Sequence, residues 1–199
     1  MTRNHCARAC YREPQWRRAA IRSDELSTTV RRWLLDNGSL TRRLRKICNG
    51  DFRVEILCQG WSDPMLNESR QLGINDQRRV FNREVLLYCG ARAMVYARTV
   101  IPAQTLTGRL SRLAYLGEKP LGEILFTDPH IKRGDLEIAR LRPGEVLFEK
   151  AWQANPNRQS VGAIPMWARR SAFRYQDKRL LVSEIFLPNP EFGYGSPVF

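Results

Sequence analysis

The sequence predicts an α+β domain with a mostly antiparallel sheet, and three observations carry that prediction. Two amphipathic helical patterns come first, the later strands are joined by hairpin turns, and no strand-helix-strand repeat runs through the chain. A length of 199 residues and a hydrophobic share of 43% suit one well-buried domain.

The elements follow in order. Residues 1–22 show no apolar periodicity, contain Pro14 and hold six arginines against one glutamate, so they read as a basic, flexible extension in which Trp16 is placed to dock on the domain. An arginine-rich start also fits a transit peptide, as a weaker alternative. The domain is assigned to residues 23–199. Leu26, Val30, Trp33 and Leu34 recur at helical spacing behind Ser23 or Asp24 as N-cap, and Asn37-Gly38 ends that helix. Ser39 caps a second helix, with Leu40, Leu44 and Ile47 on one face and Arg42, Arg43 and Arg45 on a solvated one. Phe52, Val54 and Ile56 alternate with charged residues as a first strand. Residues 60–78 read as loop. Residues 83–88 and 93–101 form a hairpin through Cys89-Gly90-Ala91-Arg92, and Pro102 ends it. Leu106, Leu110, Leu113 and Leu116 suit a helix, a short helical piece spans 121–126, and 135–141 is a strand. The proline-bearing stretch 142–166 reads as an irregular loop or lid. Strands 168–175 and 180–187 close the chain as another hairpin.

Composition narrows the function classes. There is no run of about 18 apolar residues and no secretory h-region, so a cytoplasmic protein is expected. Five cysteines without a C-x-x-C pair argue against a zinc site and against a disulfide framework. His5, Cys6 and Cys10 form the one compact group of possible metal ligands, better read as a tail with incidental thiols. The net charge of +13 comes from arginines scattered along the chain rather than a stripe interleaved with stacking aromatics, so no nucleic-acid partner is expected. A basic field also attracts small dianions.

Two charges stand where strands should be apolar. Alternate residues of a strand share a face, so Arg83 lies with Val85, Leu87 and Cys89, and Glu184 lies with Leu180, Val182 and Phe186. A buried charge needs a partner or a ligand. The pair reads either as a structural bridge between strands or as two ends of a polar, enclosed ligand pocket. Glu84, on the opposite face from Arg83, reads as solvent-facing or paired.

Seven segments form an ordered set: Trp33-Leu-Leu, Ser39-Leu-Thr, Arg83-Glu-Val-Leu-Leu, Ala97-Arg-Thr-Val-Ile-Pro102, Leu116-Gly-Glu-Lys-Pro-Leu-Gly-Glu-Ile-Leu-Phe126, Trp167-Ala-Arg-Arg-Ser171 and Ser183-Glu-Ile-Phe-Leu-Pro188. In order and spacing, from about Leu26 to Pro188, the set resembles the chorismate pyruvate-lyase family. The resemblance implies a six-stranded antiparallel sheet with helices enclosing a buried aromatic-acid site. It implies that Arg83 binds the ligand carboxylate, that Glu184 stands at the hydroxyl end, and that Leu40 and Leu121 touch ligand largely through backbone. Leu40 replaces the more familiar Met. The long basic N-terminus, the 142–166 region and the tail 191–199 depart from shorter family members.

The implied reaction is elimination of pyruvate from chorismate to give 4-hydroxybenzoate, the first committed step of ubiquinone biosynthesis. Aromatisation of the ring drives it, so neither cofactor nor metal is called for. An arginine fork suits a carboxylate, and positioning supplies much of the catalysis. Glu184 acts either as general acid or base, or as the group that orients substrate for a concerted transfer of the C4 hydrogen. Arg98, Arg169 and Arg170 are candidates for the enolpyruvyl carboxylate, with Arg169 or Arg170 preferred. The resemblance also implies transient contact with a membrane-bound prenyltransferase; the chain reads as a monomer. The alternative is a non-catalytic aromatic-acid-binding module, an effector or carrier on the same fold.

Overall fold

A computed structural model describes residues 12–19, 26–75, 78–160 and 163–194. The strands are β1 (Arg17–Arg18), β2 (Phe52–Ser62), β3 (Val80–Cys89), β4 (Arg92–Pro102), β5 (Ile131–Arg133), β6 (Glu137–Leu141), β7 (Met166–Tyr175) and β8 (Lys178–Phe186). The helices are α1 (Thr28–Leu34), α2 (Leu40–Ile47), α3 (Leu66–Leu72), α4 (Leu121–Thr127) and α5 (Val146–Ala154). All paired strands are antiparallel, in the order β1-β6-β7-β8-β4-β3-β2, with β5 also paired to β7. The sheet thus has eight strands where six were expected. The difference is small: β5 and β6 share one edge of β7, interrupted around Gly134, and the two-residue β1 is added outside β6.

The sheet is covered on both faces. On the front, α1 and α2 pack over Val54, Val85, Leu87, Val95 and Phe186. Beside them, α4 and the 3₁₀ segment Gly108–Tyr115 pack over Phe81, Ile101, Phe173 and Leu180. On the back, α5 covers Leu86, Tyr96, Ala168 and Ile185, while Leu72 of α3 meets Val80, Val100 and Leu181. Covered on both sides, β3 and β4 are buried along nearly their whole length rather than on alternate residues.

Several expectations change. The stretch 60–78 is not all loop: β2 continues to Ser62 and α3 follows, its N-terminus closed by Glu68 accepting from the Met65 N–H. The stretch 142–166 holds α5, whose Leu147, Phe148 and Ala151 are buried, so most of it is core-forming rather than a lid. Of the leucines from 106 to 116, Leu110 and Leu113 lie on the 3₁₀ segment Gly108–Tyr115 and Leu106 and Leu116 each follow a 3₁₀ turn, in place of one α-helix. The first helix is capped by Ser27; Ser23 and Asp24 lie outside the described residues, as does the 22/23 domain boundary. Residues 12–19, assigned to the flexible extension, pack on the domain, 12–16 against its back and 17–19 along the β6 edge. Arg12 exchanges backbone hydrogen bonds with Gly144 and Val146, the Glu13 carboxylate accepts from the N–H groups of Leu66 and Asn67 at the start of α3, and Trp16 packs in the α5 cluster.

The cysteine expectation also changes. Cys48 at the end of α2 and Cys89 at the end of β3 are joined by a disulfide, because the tight turn between α2 and β2 brings positions 41 residues apart to neighbouring ladder ends. Cys58 is free and exposed, and His5, Cys6 and Cys10 lie outside the described residues. Among the described residues no group of three His, Cys, Asp or Glu could hold a metal ion, and no helix is long and apolar enough to cross a membrane.

Candidate active site

The β3–β4–β8 ladder fixes the two charged positions relative to each other. Arg83 pairs across to Thr99 and Glu184 to Ala97 on the shared strand β4. Their Cα atoms are therefore two strand spacings and two residues apart, about 12 Å, on the same face. Both line one slot between the front of the sheet and the N-termini of α2 and α4. Leu40 and Leu121 line it too, and each is the first residue of its helix, where backbone N–H groups have no intrahelical acceptor. The two helix starts meet closely: a Cβ on Gly122 would stand 3.2 Å from both Ser39 Oγ and Thr41 Oγ1. All four residues singled out from the sequence, Leu40, Arg83, Leu121 and Glu184, thus face one cavity.

Arg83 is 3% exposed. Its Nη2 donates to the carbonyls of Gly117 (2.8 Å) and Lys119 (3.2 Å), while its buried Nε has no hydrogen-bond partner among the described residues. Burial lowers the Arg83 pKa from its ordinary value. Arg83 and Glu184 do not form a structural bridge. Glu184 instead accepts from Arg169 Nε at 2.6 Å, directly across the β7–β8 ladder. Arg169 is 1% exposed, and its Nη1 donates to the carbonyls of Trp33 and Asp36, both at 2.8 Å. It thereby satisfies groups left open at the C-terminal end of α1.

The three arginines considered for a second carboxylate separate by strand parity. Arg169 lines the cavity; Arg98 and Arg170 are on the back. Arg98 is locked between Glu68 (2.7 Å) and Glu84 (2.6 Å), and Lys150 adds a 3.0 Å contact to Glu84. Arg170 pairs with Glu137 at 2.7 Å, donates to Asn67 Oδ1 and stacks on Trp16. Glu84 is therefore paired and buried, not solvent-facing. A fourth arginine, Arg133, lines the cavity and was not anticipated. It sits on the three-residue β5, too short for alternation to show which way a side chain faces.

The chorismate lyase family profile matches residues 12–193. The chain belongs to the chorismate lyase family. It is 41% identical over 156 residues to a protein named probable chorismate pyruvate-lyase from Methylococcus capsulatus, covering 78% of this chain and 93% of that one. It is 38% identical over 172 residues to a probable chorismate pyruvate-lyase from Pseudomonas aeruginosa, covering 85% and 90%. Among solved structures, the effector domain of PhnF from Mycobacterium smegmatis is similar at 18% identity and a TM-score of 0.49, covering 75% of this chain and 88% of that domain.

Proposed function

We propose that the chain is a chorismate pyruvate-lyase, a carbon–oxygen lyase that converts chorismate to 4-hydroxybenzoate and pyruvate and so opens ubiquinone biosynthesis. The observation that carries this reading is the slot itself: a buried arginine with an idle Nε and a glutamate stand on one sheet face and line one cavity. Arg83 receives the ring carboxylate, trading its carbonyl contacts for charge-assisted hydrogen bonds. The first-turn N–H groups of Leu40 and Leu121 add donors from two helix ends. Glu184, held by Arg169, takes the 4-hydroxyl and fixes which way round the ring lies.

In the reaction the C3–O ether bond and the C4–H bond break, and the ring gains its third double bond. The C4 hydrogen ends on the enolpyruvyl methylene, which becomes the methyl of pyruvate, so atoms balance without a co-reactant. With Arg83 at one end and Glu184 at the other, the residues hold a reactive conformer rather than form a covalent intermediate. The same reading carries a cytoplasmic location, a monomer and product hand-over to a membrane-bound prenyltransferase.

The direct test mixes the protein with chorismate and follows pyruvate and 4-hydroxybenzoate together, for wild type and Glu184→Ala. Equimolar products from wild type and a crippled variant are expected. Tight 4-hydroxybenzoate binding by a wild type that releases no pyruvate would transfer the reading to a carrier or effector module.

A further inference from the structure

The front-face cavity holds more positive charge than its one carboxylate can balance. Across the sheet from Arg83 on β3 come Glu184 on β8, Arg169 on β7 and Arg133 on β5, in that order, with Arg133 opposite Phe173 in the β5–β7 pairing. Arg169 is committed to Glu184 and to two main-chain carbonyls. Arg133 has no carboxylate in contact among the described residues. Its Nε donates to Ser171 Oγ at 2.9 Å and its Nη1 to Asn37 O at 3.1 Å and, more weakly, to Asp36 O at 3.5 Å, which leaves Nη2 without a partner among the described residues. The rings of Phe126 and Phe173, each 5.7 Å from its centre, hold the guanidinium in place. Burial lowers its pKa, and Arg169 adds to the effect while Glu184 and Asp36 oppose it, as expected for a cation with no dedicated counter-ion.

We propose that Arg133 receives the second, enolpyruvyl carboxylate of chorismate and so discriminates the dicarboxylate substrate from the monocarboxylate product. The inference rests on the lyase reading. Chorismate carries its ether on C3, next to the C4 hydroxyl. With the ring carboxylate on Arg83 and the hydroxyl on Glu184, the ether and its carboxylate fall at the Glu184 end, where Arg133 stands beyond Arg169. Two excess cations then meet two carboxylates. Elimination carries one of those carboxylates away with pyruvate, so 4-hydroxybenzoate never engages Arg133.

The test compares wild type, Arg133→Met and Arg133→Lys in two readouts: kcat and KM for chorismate by pyruvate release, and Kd for 4-hydroxybenzoate by titration. For Arg133→Met, kcat/KM falls roughly 10- to 100-fold, the loss expected for one charge-assisted contact, while the 4-hydroxybenzoate Kd stays within about threefold of wild type, as an unaffected contact requires. Arg133→Lys recovers part of the chorismate activity. The proposal is overturned if chorismate kcat/KM and 4-hydroxybenzoate affinity fall together, which marks Arg133 as support for the pocket wall, or if neither moves. A wild type that releases no pyruvate defeats the lyase reading itself and is recognised before any variant is compared.

Discussion

The two faces of the sheet handle buried charge in opposite ways. On the back, Arg98, Lys150 and Arg170 stand against Glu68, Glu84 and Glu137, three cations to three carboxylates, each in direct contact with an opposite charge. On the front, Arg83, Arg133 and Arg169 share a single carboxylate, Glu184, and Arg83 keeps a buried Nε idle. Buried charge by itself therefore does not mark a site in this protein. What separates the faces is whether the charges close among themselves. The closed set is structural, and the open set is the one proposed to take a dianion.

That contrast can be broken by exchanging the roles of matched residues. The largest expected effect is on the back: Arg98→Ala strands Glu68, leaves Glu84 with Lys150 as its one counter-ion among the described residues, and costs about 3–5 kcal/mol of stability, measured by urea denaturation. The folded fraction should still bind 4-hydroxybenzoate with unchanged Kd, and a large loss of affinity at full folding would erase the division of labour. Next is the front counterpart, Arg83→Ala, for which 4-hydroxybenzoate affinity falls on the order of 100-fold, while stability changes by no more than about 1 kcal/mol because one unpaired buried cation is also removed. Calorimetric titration and urea melts of the same preparation read both numbers.

A pH series sharpens the comparison further. Burial alone would raise the Glu84 carboxyl, but Arg98 and Lys150 outweigh it and pull it down to about 2. A carboxyl whose folded pKa lies below its ordinary value of 4.5 contributes fully above that value and loses its contribution as pH falls towards 2. The stability gap between wild type and Glu84→Gln should therefore be constant from pH 7 to about 5 and shrink below that. A gap that widens on acidification would reverse the assignment. The smallest effect belongs to Lys150→Met. Its side chain is 42% exposed, so the loss should stay near or below about 1 kcal/mol, checked by thermal melts at low and high salt.

How much of this was legible in the sequence depends on which interactions are local. Alternation alone put Arg83 and Glu184 inward, because period two needs no partner strand. The same rule could not choose between Arg169 and Arg170, since adjacent residues face opposite ways and only the β7–β8 register, with Arg169 across from Glu184, decides. The back-face network escaped for a linked reason. Its partners Glu68 and Lys150 sit on α3 and α5, helices within the polar stretches read as loops, so Glu84 had no visible mate. Pro64 before α3 and Pro143 and Pro156 on either side of α5 read as loop punctuation and hid the short apolar faces between them. The Cys48–Cys89 bridge depends on contacts between elements remote in sequence and left no local signal.

On the proposed role of Arg83, its hold on the Gly117 and Lys119 carbonyls makes ligand capture an exchange of partners rather than a simple addition. The heat released is then the difference between two sets of hydrogen bonds, smaller than a buried ion pair alone would give. The same trade frees the 117–119 turn at the moment the ring carboxylate docks. Departure of product must restore those carbonyl contacts, so the turn and the ligand compete for one guanidinium, and the turn's readiness to take it back helps set how fast the site empties.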